Sequence, residues 1–234
     1  MTHSSRTARP AAIFAWDGTL VDSQRLIIET MRQVTSEILG SRFPSSMEEL
    51  RMMMPMSAPE VFGMMSSDQS TVALLDRRYA DVYLARRAEL LVAYPGVAEL
   101  LGTLREEGYL IGVVTPKDGT RVLGDARHLG LADLIDRFAT ADSLGERNPH
   151  PAPLELLIGE FQTSPARTVV VADGPHNIGA ARAIGVATIG ALYGNFAEAD
   201  VRGAQPAALA LTSKDVLDLV RAWRIESELD VQHH

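Results

Sequence analysis

Five short apolar runs, separated by stretches of helical period, restrict what this chain can fold into. They cover residues 12–15, 110–115, 137–140, 168–172 and 187–190. None alternates cleanly between apolar and polar side chains, as expected of strands covered by helices on both faces. Helical periodicity runs through 97–107, 120–129, 153–161 and 178–184. Gly108, Gly130 and Gly185 follow three of these segments, where a helix C-terminus favours glycine. The alternation predicts a doubly wound α/β domain on a parallel sheet, with its site beyond the C-terminal ends of the strands.

One segment breaks the alternation. From about residue 24 to residue 93 everything reads as helix, with capping-box patterns from Ser46 to Glu49 and from Ser57 to Glu60. A long amphipathic run then extends over about 71–90. The pattern predicts an all-helical cap, 24–93, inserted into a core made of 1–23 and 94–234. A chain of 234 residues with 46% hydrophobic content has room for both. Met47, Met52, Met53, Met54, Met56, Met64 and Met65 are seven of its nine methionines, and all lie in the insert. Methionine is flexible and polarizable, so the cluster fits either a helical core or an apolar lining over a ligand.

The formal net charge of −8 argues against a nucleic-acid backbone as partner. Zero cysteines exclude disulfides and thiolate metal sites, and fit the reducing cytoplasm. The opening MTHSSRTARP lacks the apolar stretch of a secretory signal, and no run approaches membrane-span length, so no membrane partner is expected. The closing His233-His234 is assigned no function.

Residues 13–23 read Ile-Phe-Ala-Trp-Asp-Gly-Thr-Leu-Val-Asp-Ser, an apolar strand that delivers Asp17 onto a Gly18-Thr19 turn. The stretch resembles the first signature of the haloacid dehalogenase superfamily. Tyr94-Pro95-Gly96-Val97 resembles the return from a cap into the core, and Val113-Val114-Thr115 a strand ending in a phosphate-binding hydroxyl. Asn148-Pro149-His150-Pro151 resembles a third signature, normally Lys-Pro-x-Pro, and 169–177 (VVVADGPHN) a fourth with acidic metal ligands. Together they cover nearly the whole chain, in order, and are most similar to the phosphoglycolate-phosphatase-like branch with a small helical cap.

The resemblance implies phosphoryl transfer to a carboxylate nucleophile beside magnesium. It places Asp17 as general acid/base, Thr115 as a phosphate-binding hydroxyl and Asp173 as a metal ligand. This chain departs from the pattern at several positions. Ala15 stands at the nucleophile position, Asn148 where a lysine neutralises the phosphate, and Asn177 where a second acid faces the metal. Ala172 replaces a glycine, and Pro116 has no N–H to give a phosphate. Arg147 is a candidate replacement for the missing lysine. The lysine and the metal's carboxylates go together, so no cofactor is expected beyond weak residual magnesium binding at Asp173.

Two carboxylates without a metal between them repel, so one of Asp17 and Asp173 is expected to hold its proton to higher pH. Asp17 then becomes a candidate for metal-free acid–base chemistry, or else both acids merely cap their turns. Candidate ligand contacts are Trp16, Gly18, Thr19, Pro116, Met54, Met56, His150 and His176, with the two histidines equally readable as surface groups. Three functions stay open. They are a non-catalytic protein binding a small molecule or partner in the core–cap cleft, a repurposed acid–base enzyme acting on a less charged substrate, and an ordinary magnesium-dependent phosphatase knocked out at position 15. A monomer or weak homodimer is implied by the resemblance.

Overall fold

The computed structural model describes residues 9–144 and 151–232. The chain opens with β1 (Ala11–Ala15) and the two-residue β2 (Val21–Asp22). Four helices follow: α1 (Gln24–Leu39), α2 (Met47–Met53), α3 (Ala58–Met65) and α4 (Gln69–Leu90). β3 (Val92–Ala93) then returns antiparallel to β2, with Val21 opposite Ala93. Both chain crossings into and out of the helical insert therefore pass through one small ribbon.

The rest alternates α5 (Val97–Glu106), β4 (Leu110–Val114), α6 (Gly119–His128) and β5 (Arg137–Ala139). The single turn α7 (Ala141–Leu144), α8 (Ala152–Glu160), β6 (Thr168–Ala172), α9 (Pro175–Ala183) and β7 (Ala187–Ala191) come next. α10 (Glu198–Gly203), β8 (Ala208–Ala210) and α11 (Ser213–Gln232) close the chain. The main sheet is six-stranded and parallel throughout, in the order β5-β4-β1-β6-β7-β8. From β1 the chain builds outward through β4 and β5, then crosses to the other side for β6. The strand order reverses at β1, and in open α/β sheets that reversal leaves a crevice at the strand's carboxyl end.

The five expected strands are present, with ends shifted by about a residue. β8 was not expected, because three small or aliphatic residues at a sheet edge give too short a run to stand out. α9 begins three residues before its expected start, since Pro175 sits in the first turn, where a missing N–H is no loss. Gly108, Gly130 and Gly185 all take positive φ, 90°, 69° and 74°, as helix-terminating residues do.

Alternation along β1 divides the core. Ala12, Phe14 and Trp16 face one buried cluster, which continues through α5, α11 and the inserted helices. Ala11, Ile13 and Ala15 face the other, closed by α8, α9 and α10. Inside the insert, α4 buries Val72, Leu75, Tyr79, Val82 and Tyr83 along one stripe and packs on α1 and α3. Its N-terminus is capped by Asp68, whose carboxylate accepts from the Ser70 and Thr71 amides. At α2 only half of the capping box forms: Ser46 Oγ accepts from the Glu49 amide, while Glu49 turns to Ser45. At α3 the Glu60 carboxylate accepts from both the amide and the hydroxyl of Ser57. Among the described residues no helix is long and apolar enough to cross a membrane.

Leu101, on α5, is fully buried in the main core cluster. Leu101→Ala is expected to cost about 2–5 kcal/mol through lost burial and a residual cavity. Urea denaturation should show this as a lowered midpoint at unchanged slope.

Candidate functional site

The crevice at the end of β1 is where the turn Asp17-Gly18-Thr19 lies. Gly18 has φ 77°, and a Cβ there would fall 2.0 Å from Asp173 Oδ2, so only glycine lets the turn close on that carboxylate. Thr19 is fully buried; its hydroxyl donates to Asp173 Oδ1 at 3.1 Å and accepts from the Asp173 amide at 3.0 Å. The Asn195 amide, in the loop after β7, donates to Asp173 Oδ2 at 2.8 Å. Tyr193 of the same loop donates its hydroxyl to the Thr19 carbonyl at 3.1 Å. Both oxygens of Asp173 are thus engaged. Burial pushes this carboxylate up to about 7, against the opposing hydrogen bonds from Asn195 and Thr19. Burial is the main cause, and the repulsion from Asp17 expected from the sequence is a lesser one.

Asp17 faces the other way. Its Oδ1 accepts from Lys117 Nζ at 2.8 Å and from the Ser23 hydroxyl in a short hydrogen bond. Lys117 lies two residues beyond Thr115, in the loop that leaves β4. Its ammonium also donates to the Tyr83 hydroxyl at 2.8 Å and to Asp125 Oδ2 at 3.2 Å, while Tyr83 donates to Asp125 at 2.7 Å. Burial alone lowers the pKa of such an ammonium, but the carboxylates of Asp17 and Asp125 outweigh it and hold Lys117 well above the ordinary lysine value. Lys117 therefore stays charged. Asn148 removes the lysine of the third signature, yet Asp17 still has a cation beside it, in Lys117. The available signal was positional: Lys117 follows a strand's carboxyl end, where α/β sites gather.

A cavity of about 300 Å³ opens beside this pair, between the inserted helices and the core. Asp17, Lys117 and Pro116 line its core side, with Met54 and Met56 on the helical side, as expected for those residues. Other expected contacts lie elsewhere. Trp16 is 1% exposed and packs edge-on against Phe138 in the core, so it presents no surface to a ligand. Gly18 and Thr19 hold Asp173 and do not line the cavity. Thr115 is buried, and its hydroxyl accepts from the Lys117 amide at 3.2 Å, shaping the loop that carries the lysine. His176, at the start of α9, packs against Phe196 away from the cavity, and burial pushes it down to about 4. Asn177 is buried on the same helix. Asn148, His150 and Arg147 lie outside the described residues.

Magnesium, the ion the resemblance implies, does not fit the side chains present. At the end of β1 the Ala15 side chain is a methyl group, 3% exposed, set in an apolar cluster with Val114 and Ala139. Asn177 brings a neutral amide, and Asp173 has both oxygens occupied. Among the described residues no three His, Cys, Asp or Glu side chains gather to hold a metal.

A parallel sheet reversing at β1, a helical insert and an Asp-Gly-Thr turn define the class of hydrolase-like α/β folds with a cap. The family model for haloacid dehalogenase-like hydrolases matches residues 12–191, and the chain belongs to that family. A phosphoglycolate phosphatase of Pasteurella multocida is 36% identical over 123 residues, 53% of this chain and 55% of that one. One from Haemophilus influenzae is 30% identical over 77% of this chain and 84% of its own. The pyrophosphatase PpaX of Bacillus pumilus is 25% identical over 90% of this chain and 95% of its own. Among solved structures, a predicted phosphoglycolate phosphatase from Haemophilus somnus shares the fold with a TM-score of 0.77 at 24% identity, covering 92% of this chain and all of that one.

Lys117→Met leaves Asp17 without its counter-charge and the fully buried Asp125 with only Arg87, 3.8 Å away. It is expected to destabilise the fold by about 3–5 kcal/mol. Lys117→Met combined with Asp125→Asn should cost less than the sum of the two, read by thermal unfolding of the four members of the cycle. His176 supplies a second check. An unfolded histidine takes up its proton near its ordinary value, whereas the folded one resists until about 4. Stability contributed by neutral His176 is complete above the unfolded value and is lost as pH falls toward 4. His176→Phe should flatten the decline in melting temperature across that window.

Proposed function

We propose that this chain has given up phosphate-ester hydrolysis and uses the cleft under its helical cap, 24–93, to hold a small molecule. The observation that carries this is the Asp17–Lys117 ion pair beside the methyl of Ala15. Phosphoryl transfer by this family's chemistry needs a nucleophile at that strand end and a free acid two residues on. Here the first is a methyl group and the second has Oδ1 committed as an acceptor to Lys117 and Ser23. The misfit of the remaining donors with magnesium supports the same conclusion.

The relatives are named phosphoglycolate phosphatase and pyrophosphatase, which act on small phosphorylated molecules. A small ligand in the same cleft keeps that much of their character. The cavity has the means to hold one, since Lys117, Tyr79 and Arg121 meet Met53, Met54 and Met56 around it. Metal-free acid–base catalysis by Asp17 is the weaker reading, because its carboxylate is already held by the ion pair with Lys117 and the hydrogen bond from Ser23. The same proposal takes the protein as cytoplasmic, a monomer or weak homodimer, with neither nucleic acid nor membrane as partner; the net charge of −8 supports the absence of a nucleic-acid partner.

The test is hydrolysis of p-nitrophenyl phosphate with magnesium, comparing this chain with Ala15→Asp. Both are expected to stay at the buffer rate. Turnover by Ala15→Asp would identify an ordinary phosphatase disabled at one position, and turnover by the unaltered chain would end the proposal outright.

A further inference from the structure

The cavity has two unlike sides. Ile27 and Met31 of α1, Met53 of α2, Met54 and Met56 of the turn that follows, and Val61 of α3 make the helical side apolar. The core side is charged, yet its charges answer one another. An ammonium has three N–H donors, and those of Lys117 go to Asp17, Tyr83 and Asp125. Arg121 lies 3.1 Å from Asp118 and 3.8 Å from Asp76, with its guanidinium 4.9 Å from the Tyr79 ring centre. Asp142 accepts from the Gly119 amide and the Thr140 hydroxyl.

One acceptor on this side stays open. Both hydrogen bonds that Asp17 accepts end on Oδ1. Its Oδ2 has no partner among the described residues, and unlike Asp125 Oδ1 it is not sealed from solvent. The Asp17 side chain is only 9% exposed and lines the cavity, so that opening is onto the cavity. In a largely buried site a hydrogen bond to a charged oxygen is stronger than in water, and a ligand that brings the donor gains from it.

The charges around Oδ2 select the donor. An ammonium would come up against Lys117, whose Nζ sits 2.8 Å from the other oxygen of the same carboxylate and already balances it. A phosphate would be repelled by Asp17, and it would find the N–H groups of Lys117 spent and Pro116 without one. A hydroxyl brings a donor and no charge. Resting on the cleft-binding role proposed above, we infer that the ligand is an uncharged alcohol with an apolar body. Its hydroxyl donates to Asp17 Oδ2, and its body lies on the methionine side. Thioethers adapt their shape and make favourable contacts with aromatic rings, which suits that side to an apolar or aromatic body.

Isothermal titration at pH 7 with benzyl alcohol, benzyl methyl ether, benzylamine and benzyl phosphate tests this, since the four share one ring and differ in the polar group. Benzyl alcohol is expected to bind about tenfold or more tighter than the ether, which accepts but cannot donate; that is the worth of one hydrogen bond to a charged oxygen. It should also bind tighter than the amine and the phosphate. Lys117 and Ser23 both donate to Oδ1, so Asp17→Asn puts its amide N–H groups where Oδ2 stands. That change should erase or reverse the preference for alcohol over ether, a ratio that a modest loss of stability does not move. Met56→Gln should weaken both probes by the same factor and leave their ratio unchanged. Equal or tighter binding of the ether overturns the hydroxyl assignment, and tighter binding of the amine or the phosphate overturns the uncharged one. Either result leaves the cleft as a binding site. An alcohol preference that survives in Asp17→Asn overturns the part given to Asp17. No binding of any probe overturns the assignment and counts against the cleft-binding role as well. Release of phosphate from benzyl phosphate in the presence of magnesium is a separate readout. It would strike at the loss of hydrolysis and leave the order among probes to be judged on its own.

Discussion

The ammonium of Lys117 is 8% exposed and sits where three parts of the chain converge. Asp17 reaches it from the end of β1, Asp125 from α6, and the Tyr83 hydroxyl from α4 of the helical insert. Removing such a charge from water costs several kcal/mol, and only multiple well-placed partners offset that. Arg121 extends the contact by stacking on Tyr79 and Tyr83, and Arg87 approaches Asp125 from the cap side at 3.8 Å. The insert is therefore held to the core by the same charges that form the site. Within this network Asp125 Oδ1 is buried without a hydrogen-bond partner among the described residues, and Arg87 stands 3.8 Å away.

This explains why so much of the fold could be read from the sequence and so little of the site's wiring. Buried parallel strands appear as continuous apolar runs, and the capping residues of α3 act within a few positions of themselves. The contacts that define the site span far longer separations. Thr19 and Asp173 are 154 residues apart, and Lys117 and Asp17 are 100 apart. No local pattern reports such a pairing, and an isolated lysine after a strand reads as surface charge. Trp16 was misplaced for a different reason. Strand parity puts it on the same face as Ala12 and Phe14, which points to the core rather than to a ligand.

The methionine-rich segment was legible in character but not in allocation. Met53 is buried in the main cluster, Met54 and Met56 are half-buried beside the cavity, and Met47, Met52 and Met64 stand exposed. One short stretch thus contributes to the core, to the cavity wall and to the outer surface. Helical periodicity with two breaks, after α2 and after α3, sends neighbouring residues to different environments. Composition identifies such a segment without resolving which methionine does which.

Ala15 and Asp173 show two ways in which a hydrolase-like scaffold handles charge at a strand end. The methyl of Ala15 joins an apolar cluster with Val114, Ala139 and Leu154, where an unpaired carboxylate would carry a large desolvation cost. Exchanging a carboxylate for a methyl at this position relieves that cost. Asp173 is as deeply buried, yet every acceptor it needs satisfied is satisfied by Thr19 and Asn195, and Gly18 leaves room for it. A buried polar network that is complete rigidifies the structure around it. Asp173 thus has a structural reason to remain that is independent of any metal, and its presence does not by itself argue for retained hydrolysis. What the two positions share is that neither leaves an unpaired charge buried at its strand end.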